Sequence, residues 1–132
     1  MYTPLHVHTH YSLLDGLSKP NQIVNRCKKL GIKSCAITDH GTISGNIDFY
    51  KTLKKNDIKP IMGCELYISN QSADIKDKSN RSLSHMVVLC KNYQGWKDLI
   101  NLVSLANSAE YFYHKPRIDL QLIKKAFKVS KP

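Results

Sequence analysis

The sequence predicts an α/β fold built from repeated strand–helix units, and three observations point there. Short runs with strand character alternate with runs of helical period, about every 25 to 30 residues. Histidines and acids gather where those strand-like runs end, the place where α/β folds collect their working residues. The chain is 132 residues long and 42% hydrophobic, enough for one modest globular domain.

The first element is Leu5-His6-Val7-His8-Thr9, in which apolar and polar residues alternate at the period of a β-strand. His6 and His8 leave such a strand on one face, with Cα atoms ~6.6 Å apart. Two imidazoles so placed can converge on one metal ion with bonds of ~2.0–2.1 Å. They could equally line the polar face of an edge strand, so the metal reading depends on the rest of the chain. His10 lies past the strand end and is set aside. Asp15-Gly16 then reads as a turn presenting a carboxylate.

Ser18-Lys19-Pro20 starts a helix, with Ser18 as cap and Pro20 in the first turn, and Gly31 ends it. Ile23, Cys27 and Leu30 form its apolar stripe. A second strand over 33–38 runs straight into Asp39-His40-Gly41. A glycine-punctuated turn leads to a second helix over about 44–56, with Ile47, Tyr50 and Leu53 on its inner face. The third strand, 61–68, carries Glu65 among apolar residues. An acid there needs a neutralising cation or a place at the wet end of the strand.

Residues 70–84 are polar and read as a long mobile loop. The fourth strand opens with His85. That is the wrong end for a parallel strand, so His85 joins the others only if this strand is antiparallel to the third or the loop before it folds back. A helix follows with Trp96, Leu99, Ile100 and Val103 as core. The aromatic loop 108–116 holds His114, read as a loop or interface residue, and Asp119 caps a last helix running to Phe127. The domain is expected over 1–128, with a tail at 129–132.

The candidate ligands are therefore His6, His8, Asp15, His40, Glu65 and His85. Asp39 is either a further ligand or a partner that orients an imidazole, and the second role is favoured. Mixed imidazole and carboxylate donors suit Zn²⁺, Mn²⁺ or Fe better than Mg²⁺ or Ca²⁺. Six donors exceed one tetrahedral shell, which implies two or three ions. Paired ions are a standard device for phosphoester hydrolysis.

The net charge is +10, but seventeen of the 20 basic residues are scattered lysines. That favours weak, salt-sensitive attraction to phosphates, as in a nucleic acid, and says little about sequence recognition. Lys115 and Arg117 are the candidate nucleic-acid contacts. The four cysteines stand in apolar segments without a CxxC spacing and read as reduced thiols. The longest apolar run, Met86–Cys90, cannot span a membrane. Met1-Tyr2-Thr3-Pro4 lacks the pattern of a signal peptide, so a cytoplasmic protein is expected.

Taken together, these motifs resemble a known family. His6-Val7-His8-Thr9 with Tyr11-Ser12-Leu13-Leu14-Asp15-Gly16 is similar to the first motif of the PHP (polymerase and histidinol phosphatase) domain. The version looks like that at the N-terminus of the α subunits of bacterial replicative DNA polymerase III. Ile37-Thr38-Asp39-His40-Gly41 resembles the second motif. Ile58-Lys59-Pro60-Ile61, Gly63-Cys64-Glu65, Tyr67, His85 and Lys115-Pro116-Arg117-Ile118-Asp119 follow in the family's order.

The resemblance implies the N-terminal half of a distorted (β/α)7 barrel with a metal cluster at its strand ends. The six ligand positions carry over residue by residue, His85 included. It also implies DNA and the other segments or subunits of a replicase as partners, and phosphoesterase or 3′–5′ exonuclease chemistry. The later motifs, including an Asp-x-His pair, and the polymerase palm find no match here. Turnover by the isolated chain is accordingly expected to be poor. A non-catalytic bracing module and a stand-alone phosphatase are the alternatives.

Overall fold

The computed structural model describes residues 2–127, and the tail expected at 129–132 lies outside them. The chain is mixed α/β. Its order is α1 (Pro20–Lys29), β1 (Ser34–Ile37), α2 (Asn46–Lys55), β2 (Lys59–Ser69), a 3-10 turn (Lys78–Asn80), β3 (Leu83–Leu89), α3 (Tyr93–Ala106), β4 (Arg117–Ile118) and α4 (Leu120–Ala126).

Every strand pairs with β2. Its first half pairs with β1 in parallel, from Ser34↔Lys59 to Ile37↔Met62. Its second half pairs with β3 antiparallel, from Gly63↔Leu89 to Ser69↔Leu83. The short β4 pairs with Tyr67 and Ile68 in parallel. The antiparallel β3 is the condition under which His85 could reach the other candidates. Tyr67 and His85 face each other across this pair.

Side chains along β2 alternate as a pleated strand requires. Cys64, Leu66 and Ile68 are buried against Leu99, Leu102, Val103 and Ala106 of α3. Glu65 and Tyr67 leave the opposite face. A second apolar cluster joins Ile23, Val24 and Cys27 of α1, Cys35 and Ile37 of β1, and Phe49 and Leu53 of α2.

Several expectations shift. Residues 5–9 are extended but belong to no strand ladder. The Ala36 N–H donates to the Pro4 carbonyl and the Thr38 N–H to that of Val7, both at 2.9 Å. One side advances three residues while the other advances two, so an extra residue breaks the register. The Val7 N–H is taken instead by the Thr38 hydroxyl at 2.8 Å.

Lys19, not Ser18, caps α1, and its N–H donates to the Gln22 side chain at 2.8 Å. On α2 the inner face is Asn46, Phe49 and Leu53, while Ile47 and Tyr50 are exposed.

Leu83 and Ser84 already belong to β3, and the rest of the expected loop, 70–82, is ordered by a buried asparagine. Asn80 accepts from Ser69 Oγ at 2.7 Å and donates to the carbonyls of Ser72 and Ile75 at 2.9 and 3.0 Å. The Arg117 guanidinium also donates to the carbonyls of Asn80 and Ile75. α3 and α4 are capped by Asn92, which accepts from the Gly95 N–H, and by Asp119, which accepts from the Leu122 N–H.

Candidate metal centre

The six predicted ligands come from five segments and meet at the C-terminal end of β1, beside the middle of β2. Glu65 stands at the centre, buried, and bridges in register to His40. One of its carboxylate oxygens meets His6 Nε2 and, at 2.8 Å, His8 Nε2. The other meets His85 Nδ1 at 2.7 Å and lies 3.8 Å from His40 Nδ1. His6 Nε2 and His8 Nε2 are 3.1 Å apart. Asp15 pairs with His8 Nδ1 and lies 3.7 Å from His40 Nε2.

Three groups of donors follow: His6, His8 and Glu65; His8, Asp15 and His40; His40, Glu65 and His85. Within each, one donor atom per residue lies within 4.8 Å of the others, close enough to hold a metal ion.

The loop from Thr9 to Gly16 delivers Asp15. The Ser12 N–H donates to the Thr9 carbonyl and the Gly16 N–H to that of Ser12, both at 2.9 Å. A side chain at Gly16 would put its Cβ 2.1 Å from the Thr9 oxygen, so only glycine closes this loop. Ser12 Oγ accepts the His40 N–H at 3.2 Å and so ties the loop to β1.

Asp39 acts on the backbone beside His8 and makes no hydrogen bond to an imidazole among the described residues. Its buried carboxylate accepts from the Thr9 N–H at 2.6 Å and the Thr9 hydroxyl at 2.8 Å.

The electrostatics follow from this crowding. Burial would raise the Glu65 pKa, but hydrogen bonds from His6, His85 and His8 overcome it and pull it down to about 2. Burial would lower the His8 pKa, and its bonds to Asp15 and Glu65 reverse that, so it is raised. His40 has the contrary balance: burial lowers its pKa and the nearby carboxylates do not compensate. Asp15 is lowered by its bond to His8.

The arrangement fits a cation better than protons alone. Two imidazole nitrogens crowd one carboxylate oxygen, and His40 Nδ1 is buried without a hydrogen-bond partner.

His10 packs at a tilt against Tyr11 and His114 edge-on against Tyr113, and neither joins these groups. Arg117 requires correction as a nucleic-acid contact. It is 1% exposed, its guanidinium is spent on two backbone carbonyls, and it stacks on Tyr113 at 4.9 Å. Lys115 is exposed and stays available. Sequence reasoning gave no role to Tyr67, which stacks on His40 with ring centroids 5.5 Å apart and meets His85 edge-on at 5.0 Å. Its signal was present, because Tyr67 follows Glu65 by two residues and therefore shares its face.

A family model described as the PHP domain matches residues 4–130. The DNA polymerase III subunit alpha of Helicobacter pylori strain 26695 is 45% identical over 123 residues, covering 93% of this chain and 10% of that protein. The same subunit from Chlamydia muridarum is 44% identical over 125 residues, with the same coverage. The chain thus spans about a tenth of the length of these relatives.

Among solved structures, a candidate metal-dependent phosphoesterase from Bifidobacterium adolescentis aligns with TM-score 0.54 at 22% identity. The alignment covers 76% of this chain and 32% of that one. An amidohydrolase from Chromobacterium violaceum, solved with sulfate and no metal, aligns with TM-score 0.53 at 21% identity and the same coverage. These two likenesses speak for the fold. The chain belongs to the PHP domain family, and within it matches the N-terminal region of bacterial DNA polymerase III α subunits.

Proposed function

We propose that His6, His8, Asp15, His40, Glu65 and His85 hold two or three divalent ions, Zn²⁺, Mn²⁺ or Fe, for phosphoester hydrolysis. One observation carries the reading. The three donor groups overlap pairwise, sharing His8, Glu65 and His40 in turn. Shared donors are what neighbouring ions need. Bound ions of this kind supply a hydroxide at neutral pH and stabilise charge on the phosphoryl group. In this chain Glu65 gathers three imidazoles, Asp15 orients His8, and Asp39 holds the backbone beside it.

The segment is proposed to be the beginning of a distorted (β/α)7 barrel, with its domain over 1–128. Its setting is proposed to be a cytoplasmic replicase acting on DNA, with 3′–5′ exonuclease chemistry in the complete domain. Among the described residues no helix is long and apolar enough to cross a membrane.

The test is metal retention after dialysis, read by elemental analysis, with release of 3′-terminal nucleotides from labelled single-stranded DNA in Mn²⁺ as the second readout. Bound metal should fall in His8→Ala and again when His40→Ala is added. Unchanged content in that double variant overturns the reading. Turnover by this segment should be slow, and any that occurs should vanish with a chelator and in His6→Ala.

A further inference from the structure

The ammonium of Lys115 lies over the Tyr67 ring, 4.5 Å from its centroid. The same ring stacks on His40 and meets His85 edge-on. One aromatic side chain therefore separates an exposed cation from two members of the histidine cluster. Among the described residues Lys115 forms no ion pair; the ion pairs found there all involve the histidines of the cluster.

The loop that carries Lys115 is built to stay there. Tyr113 and Lys115 bridge each other, and His114 between them adopts a left-handed conformation, φ 60°. Pro116 then packs on Gly41, where an added Cβ would come within 2.6 Å of the proline Cγ. Gly41 itself follows His40, so the loop is seated directly against the cluster. Arg117 anchors the far side through its two carbonyl contacts.

We propose that Lys115 binds a non-bridging oxygen of the phosphate group seated on the histidine cluster. This rests on the metal reading above and adds a subsite to it. An exposed cation–π contact is weak. A charge-assisted hydrogen bond to phosphate is stronger, so the ammonium leaves the ring at little cost when an anion arrives. Its flexible stem allows that short swing. Tyr67 keeps the charge near the site while leaving it unneutralised, which a carboxylate partner would not do.

The experiment uses the full chain loaded with Mn²⁺ and inorganic phosphate as the probe. Phosphate binding is read from paramagnetic broadening of its ³¹P resonance, and metal content from elemental analysis. Lys115→Ala should weaken phosphate binding about tenfold, one charge-assisted contact, at unchanged metal content, and Lys115→Arg should restore most of it. Lys97→Ala is the control. Lys97 also sits over an aromatic ring, Tyr93, at 5.4 Å, but on α3 outside the cluster. Removing its charge should leave phosphate binding as it was. Equal binding by wild type and Lys115→Ala, or equal losses in Lys115→Ala and Lys97→Ala, overturns the proposal alone. Absence of bound metal in the wild type overturns the metal reading and this subsite with it. Circular dichroism establishes that each variant is folded.

Discussion

Asp39→Ala removes the acceptor that fixes Thr9, the residue after His8. Two hydrogen bonds go, at 2.6 and 2.8 Å, between residues that are both fully buried. A bond to a charged acceptor contributes about 1.5–3 kcal/mol, so the gross loss is about 3–6 kcal/mol. Asp39 pairs with no cation among the described residues. Deleting it also removes the several kcal/mol that a buried charge costs. The net destabilisation should therefore be about 1–3 kcal/mol. With a urea slope of about 1.5 kcal/mol/M, the unfolding midpoint should drop by roughly 0.7–2 M. Because His8 moves with Thr9, Mn²⁺ affinity should fall about 10–100-fold, the usual effect of losing a group that orients a ligand. A double-mutant cycle with Thr9→Ala isolates the hydroxyl–carboxylate bond, since the backbone N–H remains, and should give about 1–2 kcal/mol of coupling. Coupling below about 0.5 kcal/mol, or wild-type Mn²⁺ affinity in Asp39→Ala, would refute this account.

Metal uptake should depend on pH through His8. Its pKa is raised, and a metal needs the neutral ring, so uptake should be suppressed below pH 6.5 and recover as pH rises through the raised value. Glu65, held at about 2, stays ionised throughout this range, and His40, lowered, loses its proton before His8 does. Calorimetry in buffers of different ionisation enthalpy should show proton release on Mn²⁺ binding, and a flat profile from pH 5.5 to 8 contradicts the assignment. Gly41→Ala should destabilise the chain by about 1–2 kcal/mol for the left-handed conformation alone. Its φ is +61°, and the contact with Pro116 should also displace the 113–116 loop. Faster hydrogen exchange confined to that loop and to β4 would report it, and unchanged exchange would count against the packing described.

The candidate residues were legible from simple patterns. Alternation put His6 and His8 on one face, the turn after them offered Asp15, a strand end marked His40, and Glu65 stood out as an acid within an apolar strand. His85 could not be placed, because a period-2 run carries no direction, and only its pairing with β2 decides which end it occupies. Arg117 misled for a different reason. In Lys115-Pro116-Arg117 the two cations look alike, yet the carbonyls that capture Arg117 belong to Asn80 and Ile75, 37 and 42 residues away. The same distance hid the order in 70–82, whose polar composition is used internally by Asn80. On α2 both candidate faces have helical spacing, and only packing against β1 and β2 selects Phe49 over Tyr50. The irregular pairing of residues 4–7 arises from a side chain, Thr38, taking the place of a backbone partner, which no pattern of hydrophobicity records.

The segment bearing His6 and His8 is held to β1 by two backbone bonds and one hydroxyl, and its partners come later in the chain. Glu65 lies 59 residues beyond His6, and His85 lies 20 beyond Glu65. During synthesis the first histidines leave the ribosome long before anything exists for them to meet. Contacts at such sequence separation form late, since the chain must first pay the entropy of closing the loop. The donor cluster is thus completed only after β2 and β3 have paired, and an early nascent chain offers an ion only loose, separate imidazoles. On the proposed metal reading, capture of an ion would then come at the end of folding and could not be what starts it.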